Sequence, residues 1–378
     1  MVAHERKYFL DWLRVIAFGL LILFHVGLLY ASWPYNLKSP RIFPEVEWVM
    51  IALNPWRLAL LFFISGVASR FLMTKLTPGA FTLDRLKRLL PVILFGMFVV
   101  NPPQTYVELY SKGIIEFGFV QFWLEHYIVA DQSLGLILPR WDHLWFLLYL
   151  LLYTLLLGGL YIMGKSVFKT LNAQALPLWC LTVTPAFWLG GTNIMVELLN
   201  PQTHAFFDDW AAHVRWAGLF AVGVICAFRT EFWAHAKRIR GNALFASIPL
   251  LILMWASRYA ALIDPSDSRW ADIFYEATKG FYGWAVILAL SGYAAQYLNR
   301  PSKILAYLTV AVLPIYVLHQ PILLIASYYV FPLSTSVWLE AFLISTITGA
   351  GALGVYELLI RRFSTMRFFF GLKRLHPT

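Results

Sequence analysis

The sequence predicts an all-α polytopic membrane protein with about ten transmembrane helices and both termini in the cytoplasm. Three observations support this fold class. Hydrophobic residues make up 60% of the 378 residues and charged residues only 13%, whereas soluble domains contain about 25% charged residues. The apolar residues form runs of roughly the 20 residues that a helix needs to cross a bilayer. The basic residues cluster between these runs. We therefore expect residues 1–378 to form a single membrane domain.

Ten apolar runs are long enough to span the membrane. They are 9–31, 49–73, 89–108, 142–163, 175–191, 211–229, 243–262, 276–297, 303–331 and 337–361. With the N-terminus in the cytoplasm, most lysines and arginines fall in cytoplasmic loops, as the positive-inside rule requires. Pro314 and Pro321 should kink or break the long ninth run, so eleven spans is the alternative count. An eleventh span would move the basic cluster that begins at Arg361 to the outer side, which favours ten.

The composition excludes several functional classes. The net charge of +10 is spread over short clusters and not over one basic face, so we expect no nucleic-acid partner. Two cysteines exclude a disulfide scaffold. Phosphate-loop, zinc-protease and nucleophile-elbow motifs are absent, so we expect neither a metal nor a permanently bound cofactor. The outer loops are acidic and aromatic, which suits a sugar, and the apolar spacing over 114–124 predicts an interfacial helix.

The first apolar run contains Arg14 and His25. A charge inside lipid costs at least about 2.5 kcal/mol, so each such residue needs a reason. The two positions are about three helical turns plus roughly 20° apart, which places them on one face at a separation of about 16 Å. Asp11 can pair with Arg14 on the helix surface, and a neutral His25 could accept a proton from a hydroxyl. Alternatively, Arg14 reaches the inner headgroups and His25 bonds to a neighbouring helix.

Later positions add further candidates. Arg85 and Arg88 lie one turn apart and could face one phosphate, or could simply anchor the cytoplasmic side. His143 lies at the outer mouth of the fourth run, where an ordinary interfacial role is the alternative. His319 lies just before Pro321, where a proline frees backbone groups that can line a cavity. The other ionisable residues in or at the edges of runs could pair with one another: Arg57, His213, Arg215 and Glu357.

Five short motifs resemble, in order, those of the membrane acyltransferase-3 family. They are Asp11-x-x-Arg14 with His25, Phe62-Phe63-Ile64-Ser65-Gly66, Arg85-x-x-Arg88-Leu89-x-Pro91, His143-Leu144-Trp145-Phe146-Leu147 and Tyr316-x-x-His319-x-Pro321. Within that family, residues 7–11 and 24–32 look most like the branch that succinylates osmoregulated periplasmic glucans. The resemblance covers residues 11–321 and is looser outside the motifs after residue 140.

The resemblance implies an acyltransferase of the bacterial cytoplasmic (inner) membrane. It would move an acyl group, with succinyl as one option, from cytoplasmic acyl-CoA to hydroxyls of a periplasmic glucan or another polysaccharide. Acyl-CoA would be a co-substrate, and glucan-synthesis proteins and the lipid bilayer would be partners. His25 would be the general base, Arg14, steadied by Asp11, would guide the donor, and Arg85 and Arg88 would hold its phosphates. The acceptor-side candidates are His143, Trp145, His319 and Ser65.

A proton-coupled transporter or flippase is the competing hypothesis, because buried Arg and His residues can form a proton relay. Transporters commonly contain paired repeats with interrupted helices, and the sequence shows no such repeat. A purely structural scaffold would give no reason for Arg14 and His25 to share a face. The sequence leaves both direct transfer and a covalent acyl-enzyme open.

Overall fold

The computed structural model describes residues 6–164, 168, 176–263 and 269–373. Within these ranges every regular element is a helix, which confirms the all-α class. The α-helices of five or more residues within 6–164, 176–263 and 269–373 are α1 (Tyr8–Tyr30), α2 (Val46–Met73), α3 (Pro78–Phe95), α4 (Pro102–Ser111), α5 (Trp145–Met163), α6 (Leu178–Thr182), α7 (Thr184–Leu198), α8 (Trp210–Cys226), α9 (Thr230–Ile263), α10 (Arg269–Tyr297), α11 (Lys303–Val330), α12 (Val337–Val355) and α13 (Ser364–Phe369).

Six helices of the described part of the chain are long and apolar enough to cross a membrane. They are Tyr8–Tyr30, Val46–Met73, Asp142–Met163, Thr230–Ala260, Lys303–Leu333 and Val337–Ile360, at the first, second, fourth, seventh, ninth and tenth predicted runs. The ninth run holds one α-helix, α11, so Pro314 and Pro321 do not break it. The count of ten spans and the cytoplasmic termini stay predictions.

The third predicted run, 89–108, is not one α-helix. α3 ends at Phe95, a π-helical turn follows at Gly96–Val100, and α4 begins at Pro102. Adjacent prolines at 102 and 103 explain the break, because proline is tolerated in the first turn of a helix but not in its interior. The fifth predicted run also contains a proline in the first turn of a helix, since Pro185 lies in the first turn of α7. The start of that run, at 175, lies outside the described residues.

The interfacial helix predicted over 114–124 begins later than expected. The helix starts at Phe119–Gln121 and continues as a π-helical turn at Phe122–Tyr127. The apolar residues of this loop instead pack into a small core of their own. The spacing therefore reflects burial within the loop and not one helical face. The buried members of this core are Leu109, Ile115, Phe122, Tyr127 and Leu138.

The described residues form two compact units that alternate along the chain. The first unit contains described residues within Met1–Ala17, Ile51–Leu83 and Leu152–Ala306. The second contains those within Phe18–Met50, Asp84–Leu151 and Tyr307–Thr378. α1 therefore contributes its beginning to the first unit and its remainder to the second. The expectation of one domain over the whole chain stays a prediction.

In the first unit, α2 and α8 cross at very close range. A Cβ at Gly66 would lie 2.0 Å from the carbonyl oxygen of Phe220, and one at Gly223 would lie 2.0 Å from that of Phe63. Lipid provides little hydrophobic drive between helices, so small residues that allow close backbone contact stabilise such crossings. Gly66 ends the motif Phe62–Gly66, and this crossing is the physical reason for a glycine there.

In the second unit, α1, α11 and α12 pack through a shared apolar core. Its buried residues are Val26, Leu29, Tyr30, Leu323, Leu324, Val330 and Ile344. The Lys38 ammonium then closes the end of α1, donating to the carbonyls of Leu28 at 2.6 Å and Trp33 at 3.1 Å. A cation satisfies the last carbonyls of a helix and complements its dipole. Burial lowers the pKa of Lys38, and nearby Glu47 acts in the opposite sense.

Candidate functional site

Two histidines from opposite ends of the sequence form a hydrogen-bonded pair in the second unit. His25 Nδ1 on α1 lies 2.8 Å from His319 Nε2 on α11. The two rings are stacked, with centroids 5.0 Å apart and planes inclined by 16°. His319 is fully buried, and its Nδ1 bonds to the carbonyl oxygen of Tyr316.

The Tyr316 carbonyl fixes the direction of this hydrogen-bond chain. A carbonyl oxygen only accepts, so His319 Nδ1 carries the hydrogen and His319 Nε2 is the acceptor. His25 Nδ1 must then donate, which assigns the lone pair of neutral His25 to its other nitrogen, Nε2. The protein therefore selects one tautomer of His25, the form with a basic Nε2.

Pro321 explains how the third histidine, His143, is held. Proline has no N–H, so the helix leaves the carbonyl of Val317, four residues earlier, without its usual donor. His143 Nε2 donates to that carbonyl at 3.0 Å. The Tyr316 hydroxyl also donates to the backbone carbonyl of His143. The His143 and His319 rings meet edge to face, with centroids 5.1 Å apart, so the three predicted histidines form one cluster.

Several buried polar atoms in the second unit have no hydrogen-bond partner among the described residues. They include His143 Nδ1, Tyr35 Oη, Asn101 Oδ1 and Gln104 Oε1. Tyr35 stacks on the His25 ring, with centroids 5.9 Å apart and planes inclined by 10°. Burial, reinforced by the carboxylates of Asp142 and Glu108, raises the pKa of Tyr35, so its hydroxyl stays a donor. A buried polar atom without a hydrogen bond lowers the stability of the protein by about 1–3 kcal/mol. A bound ligand that supplies the missing hydrogen bonds would recover this free energy, so these four atoms are candidate ligand contacts.

A buried ionic network is next to His143 in sequence. Arg140 pairs with Glu108 at 2.9 Å and with Asp142 at 2.8 Å. Glu108 also pairs with Lys112 at 2.7 Å and accepts from Asn36 at 2.6 Å. Burial works against the charge of Arg140, but the two carboxylates outweigh it and raise the pKa of Arg140. Asp142 has a φ of +41°, a backbone conformation that only surrounding contacts make tolerable.

The predicted basic residues lie in different settings. Arg14 Nη2 donates to Asp11 at 2.6 Å, so the expected ion pair is present, and Arg6 joins it at 2.8 Å. Arg85 pairs with the neighbouring carboxylate of Asp84. Arg88, which lies on the same helix as Arg85, lines a cavity of about 790 Å³. The two guanidiniums of the Arg85–Arg88 motif therefore differ in their surroundings.

The remaining candidates have mainly packing or local partners. Trp145 is buried at the start of α5, where it meets Tyr149 edge to face at 5.2 Å. Ser65 lies half-buried on α2, in the first unit. Arg215 donates to Asn193 at 3.2 Å, and Glu357 pairs with Arg361 at 2.8 Å.

Three polar residues of the second unit are not among the predicted site residues: Tyr35, Gln104 and Glu108. Glu108 could have been found, because an acid at the end of an apolar run is expensive unless it has a partner. Tyr35 and Gln104 carry no such signal, since a loop tyrosine and a glutamine near a helix start are ordinary residues.

Comparisons with known proteins agree with the motif resemblance. The acyltransferase-3 model, described as an acyltransferase domain, matches residues 7–357. Two relatives from Escherichia coli are named Glucans biosynthesis protein C. The one from strain SMS-3-5 is 24% identical over 391 residues, with 98% of this chain and 96% of the relative covered. The one from O157:H7 is 25% identical over 394 residues, with the same coverage. No solved structure matches the chain. The chain belongs to the acyltransferase-3 family.

Proposed function

We propose that this protein is a membrane O-acyltransferase that moves an acyl group from acyl-CoA to a hydroxyl of a glucan. The observation that carries the proposal is the hydrogen bond between His25 and His319, oriented by the Tyr316 carbonyl. The glucan acceptor is supported by the name of the relatives, Glucans biosynthesis protein C. Succinyl-CoA is the donor favoured by the resemblance to the succinylating branch.

His25 acts as the general base in this proposal. A glucan hydroxyl oxygen attacks the thioester carbonyl carbon while its proton passes to His25 Nε2. His319 accepts the Nδ1 hydrogen of His25 and stabilises the imidazolium that forms, as the third member of a catalytic triad does. Collapse of the tetrahedral intermediate breaks the C–S bond, and the departing sulfur takes the proton back from His25. The products are the glucan ester and free coenzyme A.

Four buried polar atoms of the second unit are the proposed acceptor contacts. Tyr35, Asn101, Gln104 and His143 each have a polar atom without a partner among the described residues. Sugar hydroxyls both donate and accept, so they can satisfy the donor of Tyr35 and the acceptors of the others. Trp145 is proposed to pack beside the acceptor site without forming a hydrogen bond to the sugar.

The donor is proposed to approach along α1. Arg14, held by Asp11, lies on the same helix as His25, at about the 16 Å separation that their spacing gives. Arg88 follows on α3 as a ligand for the coenzyme A phosphates, and Arg85, which pairs with Asp84, is proposed to act beside it through its charge. Guanidinium groups suit this role because they bind phosphate through paired hydrogen bonds.

The test is acyl transfer by purified full-length protein in lipid nanodiscs, with acyl-CoA and glucan supplied and the ester measured by mass spectrometry. His25→Ala should reduce the rate by about 10²- to 10⁴-fold, the usual contribution of a general base. His126→Ala is the matched control, because His126 bonds to Asp131 in the outer loop at 2.6 Å. Full activity in His25→Ala would disprove the role of His25.

The same histidine pair would also serve a proton-coupled transporter, since stacked imidazoles can pass a proton. Proteoliposomes with an internal pH dye distinguish the two functions. The acyltransferase proposal requires the glucan ester to form without a proton gradient. Proton-driven movement of glucan with no ester formed would establish the transporter instead.

A further inference from the structure

A second candidate site lies in the second unit, between α3, the first half of α11 and the C-terminal residues 364–373. It is the cavity of about 790 Å³ that Arg88 lines, and its size falls within the roughly 300–1,000 Å³ typical of small-molecule sites. Four basic side chains, a hydroxyl and an aromatic ring line it: Lys87, Arg88, Arg367, Lys373, Thr309 and Phe368.

The charge of this cavity is positive. Its acidic lining residue, Asp84, accepts from Arg85 Nε at 3.0 Å, so its charge is balanced outside the cavity wall. Lys87 and Lys373 form no ion pair with any described residue. The positive charges of Lys87 and Lys373 repel each other, and a bound anion relieves that repulsion. The cavity therefore favours an anionic ligand.

Two further features indicate the chemistry of the anion. Thr309 Oγ1 is buried without a hydrogen-bond partner among the described residues, so it can donate to a ligand oxygen. Phe368 contributes an aromatic side chain to the same wall, and aromatic side chains are the groups on which nucleic-acid bases stack. Phosphate oxygens and an aromatic base occur together in nucleotides.

The C-terminal segment is fixed against α3 by packing and backbone geometry. Phe369 stacks on Phe95 with ring centroids 4.7 Å apart and planes inclined by 20°. Gly371 has a φ of +68°, and a Cβ there would lie 2.7 Å from the carbonyl oxygen of Arg88. Only glycine fits both conditions without strain. Arg367 Nε donates to the carbonyl of Lys373 at 2.6 Å, which folds the segment into a turn.

We propose that residues 364–373, together with α3 and Thr309, form a binding site for the phosphates and base of a nucleotide. Taken with the proposed function, on which this assignment rests, the ligand is the nucleotide end of the acyl-CoA donor. Arg367 and Lys373 then bind phosphate alongside Lys87 and Arg88. These two C-terminal residues lie beyond the stretch 7–357 that the family model matches.

The test is calorimetric binding to the full-length protein in phosphatidylcholine nanodiscs. The probes are coenzyme A, dephospho-coenzyme A and pantetheine, which carries no nucleotide. The double variant Arg367→Ala, Lys373→Ala should bind coenzyme A at least about tenfold more weakly, because charge-assisted contacts to phosphate are lost. Its affinity for pantetheine should not change. Arg362→Ala is the control, since Arg362 is an exposed cation of the same region that does not line the cavity.

A lipid phosphate is the other source of the same chemistry. Adding phosphatidylglycerol to the nanodiscs should leave coenzyme A affinity nearly unchanged. If phosphatidylglycerol abolishes coenzyme A binding, or if the double variant binds coenzyme A as tightly as the wild type, the nucleotide assignment is wrong. Lys373→Glu repeats the test by charge reversal at an exposed position, and its thermal unfolding temperature verifies folding.

The two proposals can fail separately. Coenzyme A binding that depends on Arg367 and Lys373, with no ester formed, would refute the proposed function and keep the nucleotide site. Ester formation with an unchanged KM for acyl-CoA in the double variant would refute the site and keep the function. His25→Ala should bind coenzyme A with wild-type affinity.

Discussion

His25 Nδ1 lies 2.8 Å from His319 Nε2, although the two residues are 294 positions apart in the sequence. The Tyr316 carbonyl, on the helix that carries His319, sets the direction of this bond. A backbone carbonyl cannot change its protonation state, so it always accepts the hydrogen bond from His319 Nδ1 and thereby fixes the tautomer of His319. In a catalytic triad a carboxylate fills that position, which adds a negative charge that a carbonyl lacks.

His319→Ala should lower kcat by roughly tenfold to a hundredfold and leave the KM for glucan unchanged. His319 does not receive the substrate proton in the proposed mechanism, but its loss lets the His25 ring turn, and small errors of position are costly. Steady-state kinetics with glucan as the varied substrate give both constants. His319→Gln should restore part of the rate, because its amide oxygen can accept the His25 hydrogen bond. Equal rates for Ala and Gln at this position would contradict the orienting role.

Tyr35→Phe should raise the KM for the acceptor without lowering stability. The Tyr35 hydroxyl is buried and has no hydrogen-bond partner among the described residues, so its removal relieves a desolvation cost. The ring that stacks on His25 is retained. The measurements are the KM for glucan and the thermal unfolding temperature. An unchanged KM would show that this hydroxyl does not contact the acceptor, and a lower unfolding temperature would show a structural role.

Gly66→Ala should destabilise the protein by roughly 1–3 kcal/mol or more, because overpacking forces the backbone to move. The new methyl group would lie 2.0 Å from the Phe220 carbonyl oxygen. Thermal unfolding in detergent measures the effect. Gly191→Ala on α7 is the control, since a Cβ there meets nothing within 4 Å. It should be neutral or stabilising, as alanine is the better helix former.

Acid should loosen the loop that follows Tyr127. Asp131 bonds to His126 Nδ1 at 2.6 Å and to the Ser133 amide at 2.8 Å, and these bonds lower the pKa of Asp131 to about 2. The folded pKa is below the ordinary value of about 3.9, so the stabilisation is complete above pH of about 4 and is lost as the pH falls through about 2.

Hydrogen exchange of the Ser133 amide, corrected for its intrinsic rate, measures this loss. Protection in the wild type should fall between a pH of about 4 and about 2, whereas Asp131→Ala should lack protection at both. Constant protection in the wild type over this range would contradict the prediction.

Features that depend on short-range pattern could be predicted from the sequence. The apolar run that contains Arg14 and His25 gave α1, and the spacing of Asp11 and Arg14 gave their ion pair. The Pro321 argument also gave a useful result, because the freed Val317 carbonyl is where His143 binds. The first feature follows from one continuous apolar run, the second from a spacing of less than one helical turn, and the third from one missing N–H.

Long-range features could not be predicted in the same way. Nothing in the local pattern of His25 or His319 indicates that they meet, since helix packing decides which faces come together. The prediction of one helix over 89–108 is wrong, because the hydropathy of this run does not reveal the break at Pro102 and Pro103. The motif Phe62–Gly66 indicates Ser65 as its polar candidate, whereas the structural reason for Gly66 lies on α8 and is not visible in the local sequence.

The alternation of the two units has a practical meaning for dissecting this protein. The histidine cluster draws on three separated stretches of the polypeptide, Phe18–Met50, Asp84–Leu151 and Tyr307–Thr378, whereas the basic cavity draws on the last two. A truncation that removes Tyr307–Thr378 takes residues from both sites, whereas one that removes Phe18–Met50 takes His25 from the histidine cluster alone. A smaller protein that keeps both sites would have to join the three stretches through designed linkers.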